Sequence, residues 1–266
     1  MALKQHKDEK IRYEQQVDNA AAYVLPFIEA TKKLGPNVKV LEIGCGEGGV
    51  LKPFAAKGCY CVGVDLNPIR IDIANDLMKA EVEKGQMKFL FKNVYDQDFL
   101  ETYRSYFDVI ILKDAIEHIP EQEKFIPYLK NFIKKDGQIF FGFPPWYMPF
   151  GGHQQVCLNK WASKLPYYHI LPKKLYLSIL KGFGEPEGVT SELMEIWDTQ
   201  ISIERFEKII RNSQLKVIKE QHFLINPIYK YKFGLKARNQ SPIIRSIPFF
   251  RNFFTTCVYY TVGLNQ

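Results

Sequence analysis

Apolar, β-branched runs alternate with helix-patterned segments over the first 145 residues, and this alternation constrains the fold more than any other feature. "VKVLEI" (38–43), "YCVGVDL" (60–66), "MKFLF" (87–91), "FDVIIL" (107–112) and "GQIFFGF" (137–143) each read as a buried strand. Between them lie helical patterns. Tyr13, Val17, Ala20, Ala21, Val24, Leu25 and Ile28 recur at helical spacing over 13–28, before Gly35-Pro36. "GGVLKPFAAKG", the stretch from Pro68 to about Lys84, and "EQEKFIPYLKNFIKK" supply three more, Pro53 being tolerated only in a first turn. Strands joined by single helices need right-handed crossovers, which makes a parallel sheet. Strands this apolar must be covered on both faces.

Beyond residue 145 the rhythm breaks. Residues 145–200 are rich in proline and aromatic side chains ("FPPWYMPFGGHQQ", "LPYYHILPKKLY"), too apolar for a free loop, and are expected to form an inserted cap with a helix at "KKLYLSILKG". "SIERFEKIIRNS" resumes as an amphipathic helix, "LKVIKEQHFLI" is a sixth strand, and "TTCVYYTVG" is a seventh. A second insert, 226–252, is basic and aromatic. The expected whole is one α/β domain over 1–266, doubly wound, with a seven-stranded, mostly parallel sheet and a cap after strand five.

The chain's 266 residues, 46% of them hydrophobic, suffice for one substantial core. The N-terminal segment MALKQHKDEK lacks the apolar stretch of a secretory signal. No run of about 18 apolar residues would span a membrane. Five cysteines without a CxxC suggest neither a disulfide framework nor zinc, and a cytoplasmic location is the simplest expectation. The net charge of +7 is uneven: no acidic residue follows Glu220. A basic, aromatic C-terminal region would suit a phosphorylated or lipid-linked acceptor, or peripheral membrane contact with Arg245 and Arg251 at headgroups.

"VLEIGCGEGG" (40–49) places Gly44, Gly46 and Gly49 at GxGxxG spacing after the first strand, where a backbone can approach a nucleotide closely. A dinucleotide would put its pyrophosphate there. Glu42, two residues before the first glycine, should repel phosphate and attract a cationic group. Asp65, ending the second strand, suits bidentate hydrogen bonding to ribose hydroxyls.

With "VGVDLNP", "FKNVYDQDF" and "FDVIILKDAIEHIP" following in order, the chain resembles the class I S-adenosylmethionine-dependent methyltransferases over about 38–144 and again from about 202. The resemblance implies a Rossmann-like sheet of order 3-2-1-4-5-7-6 with strand seven antiparallel. It also implies S-adenosylmethionine as cofactor and S-adenosylhomocysteine as product. Carried over residue by residue, the backbone of Glu42, Gly44, Cys45 and Gly46 would line the methionine moiety. Asp65 would hold the ribose, Leu66 would flank the adenine, and Asn93 and the Val94 amide would meet its edge. The Lys113 carbonyl would accept from the methionine ammonium. Asn93 departs from the acid common at its position, though an amide oxygen also accepts.

An oxygen acceptor needs help losing its proton. His118, after strand four, and His153, after strand five, are the candidate catalytic side chains, with Gly151-Gly152 letting the chain turn His153 inward. Asp114 and Glu117 could orient them. No carboxylate set with metal-ligand spacing stands out, so no metal is expected. Trp146, Tyr147, Met148, Phe150, Trp161, Tyr167 and Tyr168 suggest an apolar pocket for a small-molecule or glycan acceptor, with O-methylation favoured. Two alternatives are an RNA methyltransferase and a non-catalytic S-adenosylmethionine-binding protein. Against nucleic acid, no RNA-binding module is recognisable, and "FPPW" follows strand five rather than four. The oligomeric state is not legible.

Overall fold

A computed structural model of the protein describes residues 8–265, so the expectation for the first residues of the chain lies largely outside it. Its core is an eight-stranded sheet of β1 (Lys39–Ile43), β2 (Tyr60–Asp65), β3 (Met87–Phe91), β4 (Phe107–Lys113), β5 (Ile133–Phe143), β6 (Leu215–Ile225), β7 (Arg238–Asn239) and β8 (Cys257–Leu264). The order is β3-β2-β1-β4-β5-β8-β6-β7. The first five strands are mutually parallel, and β8 runs antiparallel between β5 and β6. The sequence order is thus met for the seven expected strands. The count is corrected to eight, because the 226–252 insert contributes a two-residue strand at the edge of β6.

Side-chain alternation explains the two-sided core. Leu41, Ile43, Val62, Val64, Ile110 and Leu112 face one layer, with the helices Gln97–Tyr103, Gln122–Tyr128 and Ile203–Asn212. Val40, Cys61, Val109 and Ile111 face the other, with the helical segments 9–29, 49–56 and 68–77. All five cysteines are buried and unbridged.

Two boundaries differ from the sequence reading. The first helix starts earlier, at Glu9, because the Asp8 carboxylate caps the amides of Lys10 and Ile11; it then runs through a π-helical turn at Ala20–Val24 to Glu29. The helix expected to reach Lys135 stops near Asn131, and β5 begins at Ile133 rather than Gly137. Ile133 sits opposite Phe107 while Gln138 sits opposite Val109, so β5 bulges there. Asp108 holds this irregularity, accepting from the Lys39 amide at 2.9 Å and from Lys134 at 2.8 Å.

The cap is a folded subunit of the domain. Cys157, Ala162, Tyr168, Tyr176, Leu180 and Leu193 form its own small core between the helices Lys173–Gly182 and Glu187–Thr199. His169 ties its start together: Nε2 meets the Trp146 carbonyl at 2.7 Å and Nδ1 meets Gln154 Nε2 at 3.0 Å. Gly151 and Gly152 are required by this packing more than by a bend. A Cβ on Gly151 would lie 2.0 Å from the Trp146 oxygen, and one on Gly152 would lie 2.4 Å from the His169 Cβ.

Candidate active site

A cavity of about 1040 Å³ opens at the C-terminal ends of β1, β2, β4 and β5. This is where an open α/β sheet binds ligands. Gly44, Asp65, Leu66, Asn93, Val94, His118 and His153 all line it, so seven of the residues singled out from sequence converge on one space. Glu42, Cys45, Gly46 and Lys113 lie behind the wall rather than on it.

The glycine turn is held from two sides. Gly44 and Cys45 donate to the Val64 carbonyl at 2.8 and 3.1 Å, and Gly46 donates to Asp65 Oδ2 at 2.9 Å. Gly44 and Gly46 have φ of 72° and 52°, the left-handed region that glycine favours. Gly49 serves packing instead: a Cβ there would lie 2.7 Å from the Tyr13 carbonyl of the first helix. Asp65 Oδ1 accepts from the Asn67 amide at 2.9 Å, so each carboxylate oxygen keeps one acceptor site for a ligand. Asn93 Oδ1 is engaged by the Tyr95 amide at 3.0 Å, an Asx turn that presents the 93–95 backbone to the cavity.

Glu42 is buried, with Oε2 unpartnered. Burial first, and then the nearby Asp65, push its carboxyl well above the ordinary range. Burial thus works against the charged form of Glu42, and its Oε2 stands as an unsatisfied buried acceptor behind the glycine turn. Lys113 is also buried, and its ammonium pairs with Asp114.

Glu117, His118 and His153 meet in the wall of the same cavity. Asp114, with φ 53°, turns the chain out of β4 into a 3₁₀ turn at Ile116–His118. His153, with φ 56°, opens another at Gln154–Val156. Non-glycine residues held in this region are strained, and such strain concentrates at functional sites. The two imidazole rings are 5.1 Å apart, edge to face, and His153 Nε2 lies 3.9 Å from Glu117 Oε1. Desolvation, aided by His118, pushes His153 down to about 3, and desolvation also lowers His118. Burial, then Asp114, raise Glu117 to about 8. Desolvation thus favours the neutral form of both imidazoles. A ring held as low as His153 is a weak proton acceptor.

The aromatic set divides. Met148 and Phe150 line the cavity, Trp146 and Tyr168 are buried in the cap, Tyr147 and Tyr167 meet Phe253 with tilted rings, and Trp161 stands exposed. The structure adds residues that no local motif flagged. Arg12 from the first helix and Asn226, Ile228, Tyr229 and Lys232 from the second insert also line the cavity. Arg12 pairs with the buried Glu47, and Arg70 lies 3.8 Å from the same carboxylate. Desolvation lowers the Lys232 ammonium, outweighing the pull of Asp114.

Residues 13–173 match a family model described as a methyltransferase domain. Among curated relatives, the chain is 32% identical over 102 residues to the chloroplastic tocopherol O-methyltransferase of Arabidopsis thaliana, covering 38% of this chain and 28% of that one. It is 31% identical over 113 residues to the ubiquinone biosynthesis O-methyltransferase of Pelagibacter ubique, covering 42% and 45%. The chain thus spans less than half the length of these relatives. Among solved structures, it resembles a putative sarcosine dimethylglycine methyltransferase from Galdieria sulphuraria (TM-score 0.59, 13% identity, 92% and 85% coverage). It also resembles the geranyl diphosphate C-methyltransferase of Streptomyces coelicolor A3(2) (TM-score 0.58, 13% identity, 91% and 78% coverage). At such identities these structures share the fold.

Proposed function

The chain belongs to the methyltransferase-domain family, and from that premise we propose that it transfers the methyl group of S-adenosylmethionine to a hydroxyl of a small-molecule, glycan or lipid-linked acceptor. One observation carries this reading: a single cavity is lined both by Gly44, Asp65 and Asn93, suited to a nucleoside, and by Glu117, His118 and His153, suited to a polar acceptor group. In the transfer, an acceptor oxygen attacks the methyl carbon in line with the sulfur. The C–S bond breaks and its electron pair stays on sulfur, the sulfonium becomes the thioether of S-adenosylhomocysteine, and the hydroxyl proton passes to water in the open cavity. Asp65 holds the ribose hydroxyls, the 93–95 backbone meets the adenine, and the glycine turn, backed by Glu42 and Lys113 behind the cavity wall, holds the cationic methionine portion. His118 and His153 hold the acceptor oxygen about 3 Å from the methyl group, the separation that makes a bound pair reactive. The O-methyltransferase relatives favour an oxygen acceptor.

The test is thermal unfolding with S-adenosylmethionine, S-adenosylhomocysteine, NAD and NADP in parallel. A ligand at 100 times its dissociation constant stabilises by about 2.7 kcal/mol. Stabilisation by the first two alone supports the reading, and stabilisation by NAD alone overturns it.

The outer face of the second insert supports a peripheral role at a membrane. Leu235, Ile243, Ile247, Phe249, Phe250 and Phe254 are exposed there beside Lys236, Arg238 and Arg245. Apolar side chains among cations suit an anionic lipid surface. Arg251 is excluded from this role, since it is bound to Glu204 at 2.8 Å and Glu207 at 2.7 Å. No described helix is long and apolar enough to cross a membrane.

A further inference from the structure

We propose that Lys232, carried to the cavity wall by the second insert, recognises an oxyanion on the acceptor, so that the molecule methylated bears a carboxylate or a phosphate besides the hydroxyl that takes the methyl group. This rests on the methyl-transfer reading and names the acceptor's chemistry within it. Five basic side chains line the cavity: Arg12, Arg70, Lys92, Lys124 and Lys232. Four of them have a carboxylate of the protein within 4.0 Å: Glu47 serves both Arg12 and Arg70, Asp98 serves Lys92, and Glu121 serves Lys124. Among the described residues Lys232 has none. Asp114, which pulls on it from farther away, is already paired with Lys113. A partly desolvated cation without a counter-charge is unfavourable, and an arriving anion relieves that cost.

The local structure holds this ammonium in place. Lys232 sits on the short helix Tyr229–Phe233, which Asn226 opens by accepting from the Ile228 amide at 3.2 Å and which Gly234, with φ 71°, closes. Tyr231 pins the helix to the first helix of the chain, donating to the Asp18 carbonyl at 3.1 Å and accepting from Gln15 at 3.3 Å. Residues three and four apart share a helix face. Ile228, Tyr229 and Lys232 have that spacing, and all three line the cavity, whereas Lys230, Tyr231 and Phe233 do not. The Tyr229 hydroxyl makes no hydrogen bond to the described residues. An ammonium and a phenol on one face supply donors to two oxygens of one oxyanion.

The position fits the acceptor. Lys232 is close enough to His153 to weigh on its charge, and Asp114 feels both. The ammonium therefore stands near the ring assigned to the acceptor oxygen, and the hydroxyl and the oxyanion of one small molecule can be engaged together. Tyr95, Phe125, Tyr128 and Phe150 on the same wall suit a ring joining those two groups. Desolvation lowers the Lys232 ammonium, and an anion beside it acts in the opposite sense.

Benzoate and phenyl phosphate are the probes, with benzamide as the neutral counterpart. Each is titrated calorimetrically into the full chain, with and without saturating S-adenosylhomocysteine, alongside Lys232→Met and Lys232→Arg checked for an unchanged unfolding midpoint. Wild type should bind at least one anion about tenfold or more tighter than benzamide. Lys232→Met should erase that preference without weakening benzamide, and Lys232→Arg should keep most of it. The preferred anion tells carboxylate from phosphate. Wild type with no preference for either anion, or a preference that survives in Lys232→Met, would overturn the proposal. So would a Lys232→Met variant that loses affinity for S-adenosylhomocysteine instead, which would give the ammonium to the cofactor's carboxylate. Failure of S-adenosylhomocysteine to bind wild type counts against the methyl-transfer reading; its binding without an anion preference counts against the role of Lys232 alone.

Discussion

The perturbation with the most direct arithmetic is Asp65→Asn. The Asp65 carboxylate has four acceptor sites, and the Gly46 and Asn67 amides occupy one on each oxygen at 2.9 Å. One site per oxygen is left, matching two ribose hydroxyls. An amide keeps only one oxygen. Its NH₂ group then faces a backbone N–H, donor against donor, so the side chain can serve one amide and at most one hydroxyl. The loss of one hydrogen bond to a charged acceptor costs about 1.5–3 kcal/mol, which at 1.4 kcal/mol per decade is a loss of roughly 10- to 150-fold in affinity. Isothermal titration with S-adenosylhomocysteine reads this without needing the acceptor. Because Asp65 is half-exposed, the unliganded fold should change little, and its unfolding midpoint is the control. A variant that binds within threefold of wild type would refute the assignment of Asp65 to the ribose.

Three other outcomes follow from particular contacts. Gly152→Ala forces a Cβ to within 2.4 Å of the His169 Cβ and should destabilise the cap by about 1–3 kcal/mol, read as faster hydrogen exchange across 145–200 with little change in the sheet. Burial alone would raise the Glu204 carboxyl, but hydrogen bonds from the Phe249 amide, Asn252 and Arg251 outweigh it and hold it below its ordinary value. A depressed carboxylate stabilises the fold above its unfolded value, near 4.3, and that stability is lost as pH falls through the lower folded value. Urea midpoints should therefore drop between about pH 5 and pH 3, and Glu204→Gln should flatten that drop. Replacing Phe249 and Phe250 by glutamate should abolish co-sedimentation with anionic vesicles while leaving S-adenosylhomocysteine affinity intact; retained vesicle binding would remove the membrane role.

What was legible in the sequence was what local physics dictates. Strand periods and the glycine spacing depend on near neighbours, so β1 to β4, β6, and the Gly44, Asp65 and Asn93 positions were all readable. The early start of β5 was not, because "NFIKK" carries helical spacing and only the pairing of Ile133 with Phe107 overrides it. The state of Glu42 was not, since charge at a buried site depends on surroundings that spacing does not reveal. Arg12 and Lys232 gave no local signal at all; they enter the cavity because distant segments pack over it. Glu117 was noticed only as an orienting group, because the convergence of His153 upon it is a fact of the tertiary fold.

That packing over the cavity has a consequence in the order of folding. Gln15 donates to the Tyr231 carbonyl at 3.3 Å across 216 residues, and Tyr231 donates to the Asp18 carbonyl at 3.1 Å across 213. The wall carrying Arg12 is therefore clasped to the wall carrying Lys232 by contacts among the longest in the chain. Loop-closure entropy makes such contacts late ones. During synthesis the glycine turn, Asp65 and both histidines can take their places in a nascent sheet well before residue 232 exists, yet the enclosure around them cannot. The site is thus complete only once the segment carrying Tyr231 and Lys232 has been made and has closed onto the first helix.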